Sequence, residues 1–278
     1  MTQRIKRFYA DHWDRIIDKR YNSLYWIRRY AHRQIYAQFL PYLRAGQRVL
    51  DAGCGEGALS CLVARQGIEV VGADISAPNV EAARRLAAER GMGVRFVCAD
   101  LENLPFGDNS FDIVISSHVL EHLPDLSRGL GELYRVTRSM ALIAMPTCLN
   151  PSAWALLGGD NYWVFSKRST YALALGMLRT LYALVGGQEG PNEHYAGRQE
   201  LPHLWRFPWV MRRHIETVGF RIVHFEAGPL IIPYVPQYLP LLRPFQRIVD
   251  QWRHLPLLKY LGYGSLVVCC KGSAVVMD

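Results

Sequence analysis

The sequence predicts an α/β fold: a mostly parallel sheet with helices on both faces, an N-terminal helical arm and a cap built from insertions. Three observations carry this. Short apolar runs alternate with helix-periodic segments from Gln47 to Met145, a glycine-rich turn follows the first run, and two long irregular blocks interrupt the rhythm afterwards. Among 278 residues, half are hydrophobic and 20% are charged, which provides for an enzyme-sized core and excludes a disordered chain.

Residues 1–44 make the arm. Apolar positions from Phe8 to Leu43 recur irregularly at spacings of three, four and their multiples, predicting two helices, the second ended by Pro41. Residues 1–48 hold eleven Lys/Arg against Asp11, Asp14 and Asp18, so the whole formal charge of +8 sits there. Such an arm reads as a solvated helical face, or as one that meets an anionic membrane surface, an acidic substrate or nucleic acid.

Residues 45–146 make the core. Strands are predicted at Gln47–Asp51, Glu69–Asp74, Val94–Cys98, Phe111–Ser116 and Ala141–Met145. Helices are predicted at Ala58–Gln66, Pro78–Arg90 and Leu126–Arg138. This alternation implies a parallel sheet covered on both faces. Residues 147–206 are a first cap insertion, with a helix at Thr170–Val185 and a Gly/Pro/Asn break at Gly186–Asn192. Residues 207–278 complete the fold with a helix at Phe207–Val218 and strands at Phe220–Phe225 and Ser265–Cys270; inside them, residues 228–262 form a second insertion. Both insertions follow strands, exceed ordinary connections and are expected to enclose a pocket at the strands' carboxyl ends. Their aromatic residues, Trp154, Tyr162, Trp163, Trp205 and Tyr234 among them, serve an insertion's own core and would also suit an apolar or aromatic acceptor.

The six cysteines form no C-x-x-C pair, and no histidine stands at ligand spacing from them, so no metal site is expected. They read as reduced thiols of a cytoplasmic protein. The longest apolar run, Tyr171 to Val185, is broken by Arg179 and too short to span a bilayer. The expectation is a cytoplasmic protein with peripheral membrane contact through the basic arm.

The turn Val49-Leu50-Asp51-Ala52-Gly53-Cys54-Gly55-Glu56-Gly57 places glycines where backbone must bend at positive φ or lie flat against a ligand. Gly53, Gly55 and Ala58 also satisfy the dinucleotide pattern G-x-G-x-x-G/A, so the turn alone leaves two cofactors open. Asp74 ends the second strand, where a carboxylate can accept both ribose hydroxyls. Asp100 ends the third strand, where a carboxylate can accept from an adenine amino group while the Leu101 N–H donates to a ring nitrogen. The combination favours S-adenosylmethionine (SAM) over NAD.

The segments VLDAGCGEG, VVGADIS and CADLENLPFGDNSFDIVISSHVLEHLPD, with the later HLWRF and VGF, resemble the class I SAM-dependent methyltransferases, in particular the type 11 methyltransferase domain group. The close resemblance covers about residues 45–146, with weaker echoes at 203–226 and 264–271. It implies a Rossmann-like, seven-stranded, mostly parallel sheet whose last strand is antiparallel. It further implies that Asp51, Gly53 and Gly55 hold the methionine end of SAM, Asp74 the ribose and Ile75 one adenine face. Asp100 and Leu101 would address the adenine edge, and Ser117 or His118 would offer backbone groups to the methionine moiety. One departure is visible: the family's Pro-Gly-Gly turn before the fifth strand is replaced by Thr137-Arg138-Ser139.

A base is needed only where the acceptor is a hydroxyl or an acidic carbon. The candidates are His118 and His122, just past the fourth strand, and His203; His194 and Tyr195 stand behind them. At each, a capping or hydrogen-bonded role competes with catalysis, and Glu121 is equally explained as a favourable first-turn carboxylate. The leading expectation is an enzyme that methylates a hydrophobic small molecule or lipid-like acceptor, O- or C-methylation being favoured. An RNA or protein methyltransferase is the alternative, although no RNA-binding module is visible and a nucleic-acid partner is not expected. A non-catalytic SAM-fold binding module is a third, opposed by the intact glycines and ribose acid.

Overall fold

The computed structural model describes residues 6–7, 24–192, 203–256 and 258–272. Helix α1 (Trp26–Ala37) leads through a short 3-10 turn (Leu40–Tyr42) into β1 (Arg48–Ala52). There follow α2 (Ala58–Ala64), β2 (Glu69–Asp74), α3 (Ala77–Glu89), β3 (Arg95–Cys98), β4 (Phe111–Ser117), α4 (Leu126–Val136) and β5 (Thr137–Met145). The first insertion contains α5 (Pro151–Leu157) and α6 (Ser169–Val185). Then come α7 (Pro208–Thr217), β6 (Phe220–Ala227), α8 (Val235–Tyr238), α9 (Arg243–Gln251) and β7 (Ser265–Lys271).

The seven strands form one sheet in the order β3-β2-β1-β4-β5-β7-β6, parallel except for β7, which runs antiparallel to both β5 and β6. The expected Rossmann-like, seven-stranded sheet is therefore present. The chain works outward from β1 to β3 and then returns to pair β4 with β1. That reversal leaves a crevice at the strands' carboxyl ends, where open α/β sheets bind ligands.

Alternate residues of β1 feed opposite cores. Val49 packs with Ile113, Ile115 and Leu142 on one face, whereas Leu50 packs with Val71, Val114 and Ile143 on the other. Leu130, Leu133, Met211 and Ile215 from α4 and α7 close the Leu50 face. The Val49 face is closed partly by α1, whose Ile27, Ala31 and Ile35 are almost wholly buried. The second half of the basic arm is thus a structural layer of the core, while residues 1–5 and 8–23, with the arm's expected first helix, lie outside the described residues. Pro41 does not end α1; the helix stops at Ala37, and Pro41 sits inside the 3-10 turn.

Local chemistry sets the other boundaries. Ser76, Asp125 and Asn150 cap α3, α4 and α5 by accepting the backbone N–H groups of Asn79, Arg128 and Ala153. The fourth helix was expected to run to Arg138, but Thr137 is extended (φ −73°, ψ 134°) and starts β5 there, four residues before the expected strand. Three helices carried no expectation: α5, whose apolar run is short, α8 and α9. Helices α5 and α6 approach backbone to backbone. A Cβ placed on Gly158 would lie 1.9 Å from the Ala172 carbonyl oxygen, and one on Gly176 would lie 1.9 Å from that of Trp154. Among the described residues, no helix is long and apolar enough to cross a membrane.

Candidate active site

The glycine turn after β1 is held against β2 by two backbone bonds, Gly53 N–H and Cys54 N–H both donating to the Ala73 carbonyl (2.7 and 3.0 Å). Gly53 has φ +82°, and a Cβ there would stand 2.2 Å from the Val119 side chain. No other residue fits. The turn opens a cleft of ≈ 1030 Å³, mouth included, at the crevice between β1 and β4. Of the expected cofactor residues, Gly53, Gly55, Asp74, Ile75, Asp100, Leu101 and Ser117 all line it.

Asp74 is oriented by its own neighbourhood: its carboxylate accepts the Gly55 N–H (2.8 Å) and the Ser76 N–H (2.9 Å). Burial raises its pKa, and those two donors oppose the shift. The turn and Asp74 therefore form one hydrogen-bonded unit. Asp100 lies at the opposite wall, accepting the Glu102 N–H and pairing with Lys6 Nζ at 2.5 Å, so the arm's Lys6 reaches the cleft.

Asp51 is placed differently from the expectation. It does not line the cleft; it is 2% exposed and accepts the Ser60 hydroxyl at 2.6 Å. Burial pushes its pKa up to about 6, the Ser60 hydroxyl opposing this and the charge of Asp74 adding to it. Its role is to tie the strand end to α2 beneath the turn. Glu56, which carried no expectation, lines the cleft instead.

A second, smaller cavity lies beside the first. Pro146, Leu156, Trp163, His203, Trp205 and Tyr263 line it, with Arg28 and His32 from α1. The first insertion thus supplies four of its walls, whereas the described residues of 228–262, expected to share the task, supply none. Sequence reading missed Arg28 and His32 because the arm looked like a lid or a solvated face. His118, Glu121 and His122 stand between the cavities: His118 and His122 line both.

The three candidate bases converge on one oxygen. Glu121 Oε1 lies 3.7 Å from His118 Nδ1, 3.8 Å from His122 Nε2 and 4.0 Å from His203 Nε2. Glu121 is 5% exposed, and the His122 and His203 rings lie 4.4 Å apart. His118 holds a left-handed backbone conformation (φ +55°), with its N–H bonded to the Ala144 carbonyl, which turns its ring toward Tyr263. Glu121, read from sequence as a helix-end carboxylate, is the hub; its partner His203 is too far along the chain for any spacing rule to find. The Glu121, His122 and His203 atoms all lie within 4.8 Å of one another, a set that could also hold a cation, although no metal was expected. His194 and Tyr195 lie outside the described residues.

Comparison with known proteins bears on this geometry. Residues 50–145 match the methyltransferase domain family. Over 95 residues the chain is 43% identical to the demethylmenaquinone methyltransferase of Thermus thermophilus, covering 34% of this chain and 43% of that protein. It is 35% identical over 134 residues to the ubiquinone biosynthesis O-methyltransferase of Sinorhizobium fredii, covering 47% of this chain and 54% of that one. The chain therefore spans about half the length of these relatives. In fold it is similar to magnesium protoporphyrin IX methyltransferase from Synechocystis PCC 6803 with bound SAM (TM-score 0.58, 17% identity, 98% of this chain and 97% of that one).

Proposed function

We propose that this chain, which carries a SAM-dependent methyltransferase domain over residues 50–145, transfers a methyl group to an apolar or aromatic small molecule or lipid-like acceptor, with O- or C-methylation favoured. One observation carries the reading: the cofactor cleft and an aromatic-walled cavity share His118 and His122 as their common wall. Named activities of the relatives, on quinone precursors, agree with an acceptor of this class.

The residues present fit the cofactor. Gly53 clears the space that a Cβ would fill, and the Asp74 carboxylate is fixed at the cleft wall for two ribose hydroxyls. Ile75 would cover one adenine face, Asp100 and Leu101 its edge, and Ser117 the methionine end. When bound, SAM supplies an electrophilic methyl on its sulfonium. The protein's work is then to align the acceptor, exclude water and, for a hydroxyl acceptor, remove a proton. Trp163, Trp205 and Tyr263 wall the acceptor, and His203 or His122 would take its proton while the buried Glu121 carboxylate stabilises the imidazolium formed. Arg28, on the same wall, would orient an acceptor's carboxylate or phenolate. The excess charge of the arm supports an attraction to an anionic membrane.

Release of S-adenosylhomocysteine across a panel of quinols, phenols and lipids tests the reading. Glu121→Gln and His203→Ala should each lower turnover by roughly ten- to a hundredfold. S-adenosylhomocysteine affinity should stay within about twofold in both, which separates loss of proton removal from loss of cofactor binding. Calorimetry showing tight NAD binding and none for S-adenosylhomocysteine would overturn the assignment.

A further inference from the structure

Helix α9 is inside out. Its buried residues are polar: Gln246 is fully buried and Asp250 is 4% exposed. Its apolar residues face solvent. Leu241, Phe245, Ile248, Trp252 and Leu255, at successive spacings of four, three, four and three, form one stripe along the helix and the 3-10 turns at its ends. Each is about half exposed or more, Leu241 reaching 92%.

This orientation is imposed and not accidental. Gln246 Oε1 accepts the Ile232 N–H (2.9 Å), and its Nε2 donates to the Leu230 carbonyl (2.6 Å). Asp250 accepts the Leu230 N–H (3.0 Å) and the Tyr30 hydroxyl (2.6 Å). The backbone at residues 230–232 lies outside any strand, so its donors and acceptors are satisfied by these two side chains. Rolling the helix to bury its apolar stripe would strip all four bonds.

The charges complete the pattern. Between Val235 and Gly262 stand Arg243, Arg247, Arg253 and Lys259, and the one carboxylate in that stretch is Asp250, which points inward. The outer surface is therefore apolar along its crest, with exposed Arg247 beside it; at its far end the His254 ring lies 3.8 Å from the partly exposed Glu226 carboxylate. A crest of Leu, Phe, Ile and Trp with basic flanks is the surface that lies in the interface of an anionic bilayer, apolar side chains among acyl chains and cations at the phosphates.

We propose that α9 with its flanking turns is a bilayer-docking face for membranes containing anionic lipid. The face is one helix from the acceptor cavity: Tyr30, which binds Asp250, lies on α1 between Arg28 and His32, and both of those line that cavity. A lipid-like acceptor would then enter from the surface on which the enzyme sits; this last step rests on the proposed function, and the docking itself does not.

Co-sedimentation of the full-length protein with phosphatidylcholine vesicles, with and without phosphatidylglycerol, tests the docking with no acceptor present. The wild type should pellet with the anionic vesicles. Ile248→Glu and Phe245→Glu should lower its partitioning by at least about tenfold at any salt concentration, and Arg247→Glu should lower it less, with the difference vanishing in high salt. Unchanged S-adenosylhomocysteine binding would certify that each variant is folded. Three results would overturn the proposal: a wild type that ignores anionic vesicles, glutamate variants that pellet as well as it does, or a dimer in solution that Ile248→Glu dissociates while vesicles are ignored. If docking holds and no acceptor is turned over, the functional reading alone has failed.

Discussion

Helices α4 and α9 both carry an apolar stripe, and they aim it in opposite directions. In α4, Leu126, Leu130, Leu133 and Val136 are buried against the sheet. In α9, Phe245 and Ile248 stand out in solvent while Gln246 and Asp250 are sealed inside. The difference lies in what each helix covers. Beneath α4 is the apolar face of β1, β4 and β5, whose backbone groups are already paired with one another. Beneath α9 is an irregular segment with backbone donors and acceptors to satisfy, and only polar side chains can meet that need. Periodicity marks out a helix with two unlike sides, and the neighbouring backbone decides which side turns inward.

Substitutions on the two helices and beneath the glycine turn separate the two arrangements. Leu130→Ala should be the most damaging, costing roughly 3–4 kcal/mol in a denaturant melt, because a fully buried leucine is removed from a filled core. Asp51, a buried acid with one side-chain donor, provides a second contrast. Its pKa is about 6 in the fold against an ordinary 3.8, so the native state keeps its proton to higher pH than the unfolded chain. Stability from this group accordingly falls as pH rises from about 4 through about 6, by ~3 kcal/mol at most. Asp51→Asn should flatten that slope in melts run across the window, and an unchanged slope would show that the proton is held elsewhere. Asp250→Ala should cost about 2 kcal/mol, since the Leu230 N–H and Tyr30 hydroxyl lose their acceptor. Ile248→Ser should change stability by less than ~0.5 kcal/mol. A large loss there would mean that the stripe is packed against something in solution.

The same contrast explains what could be read in advance. The core from β1 to β5 was legible because strand and helix periods alternate there and glycine chemistry marks the turn; Gly53, Asp74 and Asp100 line one cleft. Asp51 was misplaced because a residue at a strand's end can aim its side chain toward the crevice or toward the following helix, and only the Ser60 hydroxyl on α2 settles which. The Glu121 hub was hidden for another reason. Its three histidines lie in two segments more than eighty residues apart, and His118 joins the group from a left-handed backbone position that no residue spacing announces. Residues 228–262 were expected to roof the acceptor; the stripe in them reads as a core-facing pattern, and nothing in a one-dimensional pattern records that Gln246 and Asp250 are the side facing in.

The seam between α5 and α6 has a bearing on how the second cavity can change shape. With glycines at both Gly158 and Gly176, the two backbones meet with no side chain between them, so the spacing has no adjustable filler. Leu156, near the C-terminal end of α5, reaches the second cavity from that fixed base. A side chain at either glycine would force the two backbones apart and disturb the fold together with the cavity. Under the proposed function, a changed acceptor preference is expected at single wall positions such as Leu156, Trp163 and Trp205, with the helix pair unaltered beneath them.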